Sequence, residues 1–207
     1  MHQDPKKYWA QKTITREEVN VFAKKSAKYL SQGMSVLDLG CGYGTDTIYL
    51  AKKGLKVTAI DFSEASVSRL REKVSDKGVH SITILQHDLS KKLPFPDRTF
   101  DAVYAHLSIH YFDDATTRRV IAENMRVLKP NGFFFVKCKS VDDALYGKGK
   151  KVGEDMYEHD HVRHFFRKEY MQSLVADFEI LSLRRTSSKY VDYRSAFIEA
   201  IVRKSKR

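Results

Sequence analysis

Cysteine is nearly absent. Cys41 and Cys138 are the two in 207 residues, too few for a disulfide framework or a four-thiolate zinc site. No uninterrupted apolar run exceeds four residues, so no transmembrane helix is expected. The start, Met1-His2-Gln3-Asp4-Pro5-Lys6-Lys7, has no apolar core behind its charges, so no secretory signal is expected there. Repeats and low-complexity tracts are missing, and with 4 prolines and 10 glycines the chain has few breakers. These absences point to a cytosolic, globular, membrane-free chain. A hydrophobic share of 42% and a charged share of 30% fit such a chain and argue against wholesale disorder.

The charge present is mostly positive. Lys and Arg number 37 against 26 Asp and Glu, a net +11. Such a field attracts nucleic acid, acidic lipid or small anions alike. The charges are spread along the chain; the one dense block, Arg203 to Arg207, reads as a solvated tail. Nucleic acid is therefore possible as a partner but not favoured.

Apolar spacing divides the chain. Thr15 with Glu18 forms a capping-box pattern ahead of Val19, Phe22, Ala23, Ala27 and Leu30 at helical spacing, stopped by Gly33. This sets off residues 1–33 as an amino-terminal segment and helix. Short apolar strands then alternate with helices from 34 on: strands at 35–39, 56–60, 81–86, 99–105 and 133–137, with helices at 45–53, 64–77 and from Asp114 to the Lys129-Pro130-Asn131-Gly132 stop. Alternation implies parallel strands joined by right-handed crossovers, a doubly wound α/β sheet. After a helix at 167–176, the segments 178–185 and 196–203 read as a hairpin. The stretch 139–166 is too long for a plain connector and is expected to be an inserted cap.

The strongest motif is Val36-Leu37-Asp38-Leu39-Gly40-Cys41-Gly42-Tyr43-Gly44-Thr45. A strand runs into a turn with glycine at alternate positions, and a helix follows. Glycine lets a ligand approach the backbone, and the helix start favours an anionic group. Asp61 ends the next strand, placed to grip ribose hydroxyls. A dinucleotide fingerprint would need a glycine where Thr45 stands, and Asp38 would repel a pyrophosphate but suit an ammonium. Ribose, adenine, carboxylate and ammonium together describe S-adenosylmethionine.

The runs VLDLGCGYG, AID, HDL, FDAVYAHLSIHYF and VLKPNGFFFV, in that order, resemble the class I S-adenosylmethionine-dependent methyltransferases. The YFDD, VDDALYG and RHFF stretches look like the small-molecule branch near the tellurite-resistance type. The resemblance implies a seven-stranded, mostly parallel sheet with the last strand antiparallel. It implies that Asp38, Gly40, Cys41 and Gly42 border the methionine end of the cofactor, Asp61 the ribose and Phe62 the adenine. Asp88 and Leu89 would meet its exocyclic amine, and Ala105 lies at the fourth-strand exit.

That exit, Ala105 to Tyr111, is where a methyl acceptor would stand. His106, His110 and Tyr111 are the catalytic candidates, the histidines as proton acceptors. Trp9, Tyr146 and His164 are candidates for a substrate cap. Cys41 and Cys138 read as small buried hydrophobes. The histidines of 159–164 lack structural zinc spacing, and no metal is expected. The expected function is transfer of a methyl group from S-adenosylmethionine to a small molecule by in-line displacement. The rivals are an RNA or protein methyltransferase, motivated by charge, and a cofactor-binding protein without activity. Acceptor identity and oligomeric state are not encoded in any motif.

Overall fold

A computed structural model describes residues 18–189 and 194–206. Its strands and helices, in chain order, are α1 (Val21–Ser26), β1 (Ser35–Leu39), α2 (Thr45–Lys52), β2 (Lys56–Asp61), α3 (Glu64–Asp76), β3 (Ile82–Gln86), β4 (Phe100–His106), α4 (Asp114–Val127) and β5 (Leu128–Lys139). The small strands β6 (Lys150–Gly153), β7 (Met156–Glu158) and β8 (Val162–His164) follow, then α5 (Lys168–Leu174), β9 (Phe178–Lys189) and β10 (Arg194–Lys204).

Seven strands form one sheet in the order β3-β2-β1-β4-β5-β10-β9. The first five are parallel, whereas β10 lies antiparallel between β5 and β9. The terminal hairpin sits at one edge of the sheet, as expected, with its last strand on the inner side, against β5. Side-chain alternation explains the two covered faces. Leu37 and Leu39 point into a core with Val120, Ile121, Met171 and Leu174 of α4 and α5, while Val36 points the other way, to Phe22 of α1 and Leu50 of α2. With both faces buried, the parallel strands read as apolar runs rather than strict alternation.

Two boundaries differ from the sequence expectation. The first described helix is one short α-turn pair, Val21–Ser26, continued by a 3-10 turn over Ala27–Tyr29; Thr15 of the capping pattern lies outside the described residues. Asn20, at its start, is extended and gives its side chain to Asp46 instead of capping the helix. The stripe itself packs as expected, with Val19, Ala27 and Leu30 against the same core. The Lys-Pro-Asn-Gly stretch is also no simple turn between helix and strand. Leu128 already pairs with Phe100, and the register jumps before Phe133, so the four residues bulge from β5 with Asn131 left-handed at φ 63°.

Residues 140–166 leave the sheet at the end of β5 and return beside it. Phe166 donates its N–H to the Lys139 carbonyl at 2.7 Å, closing the excursion at its root. Inside it β6, β7 and β8 form a separate antiparallel sheet. Asp155 pins this sheet, accepting from the Tyr146 hydroxyl at 2.6 Å and from Arg167 at 2.6 and 2.9 Å.

Candidate active site

All parallel strands end at one edge, and a cavity of about 770 Å³ opens there. It has two ends. The first is walled by the exits of β1, β2 and β3 and includes Asp38, Gly40, Cys41, Gly42, Asp46, Asp61, Phe62, Asp88 and Leu89. The second is walled by the exits of β4 and β5, by β10 and by the inserted segment, and includes His106, His110, Tyr111, Lys139, Leu145, Arg163 and Phe197.

The glycine turn shapes the first end. Gly44, at φ 73°, starts α2 in the left-handed region, and a Cβ there would meet Leu70 Cδ1 at 2.0 Å. Gly40, at φ 70°, is equally crowded, by Ser108 Cβ at 2.5 Å. Gly42 is different: its φ is 52°, it lines the cavity, and nothing lies within 4 Å of where its Cβ would stand. The first two glycines permit packing, whereas Gly42 leaves ligand space.

Carboxylates gather around that space. Asp61 accepts from the Gly42 N–H and the Ser63 N–H, both at 2.9 Å, so its two oxygens are held at the cavity wall. Asp38 accepts from the Thr47 hydroxyl at 2.6 Å. Burial pushes Asp38 up to about 7; the Thr47 bond opposes this, and neighbouring Asp46 and Asp61 add to it. Burial also raises Asp61, against three backbone N–H groups that favour its charge. A dense set of buried carboxylates accepts a cation. S-adenosylmethionine, with its sulfonium and ammonium, fits this end on charge as well as on the open space at Gly42. Asp88 is folded into a local turn, accepting from Ser90 N–H and Oγ at 2.9 and 2.8 Å; it lines the cavity with that geometry fixed.

At the second end the chain makes a strained turn. Leu107 is left-handed at φ 57°, a costly conformation for a branched non-glycine residue, immediately after β4. The turn brings His106 and, through a 3-10 turn at Ile109–Tyr111, His110 and Tyr111 to one wall. The two histidines differ. The Asn20 side-chain amide sits 2.8 Å from Asp46 Oδ2 and 3.4 Å from His106 Nδ1. Asp46 only accepts, so the amide donates to it and its second N–H points to His106 Nδ1; the proton of neutral His106 is then on Nε2. His110 is 1% exposed, and its Nδ1 has no hydrogen-bond partner among the described residues. Burial holds His110 well below the usual histidine value, and the cations Lys139 and Arg163 push the same way, followed by His161 and His106.

Several sequence candidates stand elsewhere. Ala105 is fully buried in the core rather than on the cavity wall. Tyr146 does not line the cavity; its hydroxyl is spent on Asp155. His164 is not on the wall either: its Nδ1 lies 3.2 Å from the Phe112 carbonyl, which accepts its proton, and its ring packs on Phe166 and Tyr170. These two residues fasten the inserted segment and do not line the cavity. Trp9 lies outside the described residues. Cys41 lines the cavity, but burial raises its thiol well above the ordinary value, and Cys138 is buried and raised likewise. Neither is poised as a thiolate nucleophile.

Sequence reasoning missed Asn20, Asp46, Tyr104, Lys139, Arg163 and Phe197. Asp46 accepts from Asn20 twice and from the Tyr104 hydroxyl at 2.9 Å. Its place two residues past the last glycine of the turn was a usable signal. The others are brought in by tertiary folding alone.

Residues 36–132 match the family model described as a methyltransferase domain. The chain is 33% identical over 129 residues to the 27-O-demethylrifamycin SV methyltransferase of Amycolatopsis mediterranei, covering 60% of this chain and 47% of that one. Among solved structures, a SAM-dependent methyltransferase from Methanosarcina mazei superposes with a TM-score of 0.78 at 21% identity, covering 88% of this chain and 98% of that one. TehB from Haemophilus influenzae superposes with a TM-score of 0.75 at 17% identity, covering 97% and 67%. Strand order, glycine turn and domain match agree: residues 36–132 are a methyltransferase domain, and the fold is that of the class I S-adenosylmethionine-dependent methyltransferases. It spans under half the length of the first curated relatives it matches.

Proposed function

We propose that this chain moves a methyl group from S-adenosylmethionine to a small-molecule acceptor. The observation that carries this reading is the single roofed cavity whose two ends differ in make. The glycine turn and carboxylates form one end, and the β4 exit and inserted segment the other. About 770 Å³ suits a cofactor and a compact acceptor together. A duplex or a folded protein surface would need the inserted segment out of the way. The rifamycin-modifying relative acts on a small molecule by its name, which favours the same class here. The free thiols Cys41 and Cys138 suit a reducing, cytosolic setting.

In this reading Asp38 and Gly42 flank the methionine part, Asp61 accepts from the ribose hydroxyls, Phe62 packs on the adenine, and Asp88 with Leu89 borders its edge. When bound, the cofactor supplies an electrophilic methyl on a sulfonium, leaving as a neutral thioether. The chain's task is alignment, since a nucleophile opposite the leaving sulfur gains up to about 7–11 kcal/mol from positioning. His106, with Nδ1 held by Asn20, presents Nε2–H as a donor that orients the acceptor. His110, kept neutral, takes the proton if the acceptor's nucleophile carries one. Tyr111, its ring centroid 4.2 Å from that of His110, forms the wall beside them. The segment 139–166 roofs this end through Leu145 and Arg163 and excludes water.

The test is calorimetry with S-adenosylhomocysteine followed by a screen of small acceptors for transfer of labelled methyl. Saturable binding and labelled product support the reading. Binding without any product, against both metabolites and RNA, would leave a cofactor-binding protein instead. Salt-dependent retention of tRNA or rRNA with transfer to it would favour the macromolecular rival.

A further inference from the structure

We infer that the acceptor end is built for an anion: a flat, aromatic acceptor carrying a carboxylate, held by Arg163 with Lys139. The inference rests on the reading above of which end takes the cofactor, and names the class of its partner.

Charge along the cavity wall is sorted by end. The cofactor end presents Asp38, Asp46, Asp61 and Asp88 against Lys91; the acceptor end presents Lys139 and Arg163 against Asp113. Asp113 is occupied as the cap of α4, accepting from the Thr116 N–H at 2.7 Å. Both cations have carboxylate partners, but neither partner is on the cavity wall. Asp160 grips two guanidinium nitrogens of Arg163, at 2.6 and 3.2 Å, and is itself 34% exposed while the arginine is 12% exposed. Water screens the acid from outside, and the guanidinium faces in. Asp143 binds Lys139 at 2.7 Å from behind, fixed in turn by the N–H groups of Leu145 and Ala196. Lys139 Nζ also donates to Ser195 Oγ at 2.7 Å, and in both pairs the cation lines the cavity while its acid does not, so the cation is held there already oriented.

A second observation points the same way. His110 and Ser108 belong to this wall, and among the described residues His110 Nδ1 and Ser108 Oγ, both shielded from solvent just behind it, have no hydrogen-bond partner. Buried polar groups are almost always satisfied, so the two atoms leave polar capacity unspent at this end. The apolar parts of the wall are rings: Tyr111 and His110 on one side, and Phe197, lying under Lys139 at 5.3 Å, on the other. Flat walls suit a flat acceptor. The guanidinium has five N–H donors, and Asp160 engages two of its nitrogens. A carboxylate matches what is left of the fork better than a neutral amide does.

The experiment compares three probes of one shape: benzoate, benzamide and benzylamine. Each is titrated into the full chain saturated with S-adenosylhomocysteine, read by ligand-observed magnetic resonance. Benzoate is expected to bind at least tenfold more tightly than benzamide, with benzylamine weakest. Arg163→Gln should remove that preference and Arg163→Lys keep part of it, while affinity for S-adenosylhomocysteine stays unchanged in both. Equal binding of benzoate and benzamide, a preference for benzylamine, or no binding of any probe would overturn the inference. So would a benzoate preference that survives Arg163→Gln. The wild-type comparison needs no variant to fold. Repeating it without S-adenosylhomocysteine reads this end alone, so failure of the cofactor to bind would count against the proposed function and not against the anion site.

Discussion

The two ends of the cavity are made on different plans. The cofactor end comes from three short segments, 38–46, 61–62 and 88–90, each at the exit of one parallel strand, and its working charges are buried carboxylates. The acceptor end draws on β4, β5, β10 and the inserted segment, and its wall charges are mostly cationic. The first is fixed by local backbone: glycines, turns and N–H groups. The second is fixed by side-chain ion pairs, Lys139–Asp143 and Arg163–Asp160, each local in the chain but carried to the wall by the end of β5 and by the inserted segment. A shared cofactor site and an individual acceptor site are expected from that division.

The sharpest way to break the comparison is at the glycine turn. Gly44→Ala would put a methyl against buried Leu70 at a left-handed position, costing about 2–5 kcal/mol. Gly42→Ala meets open space, so it carries only the left-handed penalty at φ 52°, about 1–2 kcal/mol, and should chiefly weaken the cofactor. Thermal unfolding and S-adenosylhomocysteine titration of both variants check this. Similar unfolding temperatures for the two would mean the turn is not divided as described.

At the acceptor end, His110→Gln should lower turnover roughly a hundredfold for an acceptor that must lose a proton. Cofactor affinity should hold. Because His110 is held below its ordinary value, the acid limb in wild type should lie below pH 6.5 and flatten in the variant. His106→Leu, which loses a donor rather than a base, should raise KM more than it lowers kcat.

A smaller contrast lies within the cofactor end. Asp61→Ala should weaken S-adenosylhomocysteine by about 1.5–3 kcal/mol, and Asp88→Ala by about 0.5–1.5 kcal/mol. Asp61 is held at the space beside Gly42 with each oxygen oriented by a backbone N–H, whereas Asp88 is oriented through one oxygen, by Ser90. Direct titration gives the order, and the reverse order would exchange the roles of the two acids.

The least effect is on protons, and its sign differs between the ends. Asp38 holds a proton more firmly folded than unfolded, so it weakens the free chain as pH rises from 3.8 towards about 7. His110 holds one less firmly, so its neutral burial costs stability as pH falls below 6.5. Cofactor binding near pH 6 should release a fraction of a proton from Asp38, seen as a dependence of the calorimetric heat on buffer. Heats that do not vary with buffer would mean Asp38 is already ionised in the free chain.

Legibility in the sequence followed the same division. β1 and α2 with the glycine turn, and Asp61 at the end of β2, stand where their spacing puts them, because strand exit, turn and helix start are adjacent in the chain. The alternation of β1 to β5 with helices was likewise enough to give the parallel sheet. The insertion of β10 between β5 and β9 rests instead on pairing between distant strands; the family resemblance supplied the seven strands and the reversed last one, and neither it nor periodicity gave that order. The short α1 was misjudged because Asn20 spends its amide on Asp46, a contact spanning 26 residues. Tyr146 and His164 looked suited to a substrate by residue type, yet their partners, Asp155 and the Phe112 carbonyl, make them fasteners of the inserted segment. Arg163 and Lys139, which do reach the wall, looked like ordinary surface charge among 37 basic residues.

The central claim is that the end built around Gly42 and Asp61 binds the methyl donor. Isothermal titration of S-adenosylhomocysteine into wild type and Asp61→Ala tests it most directly. A single saturable site, at least tenfold weaker in a variant that remains folded, is the predicted result. Equal affinity in the two proteins, or no binding to wild type, would contradict it.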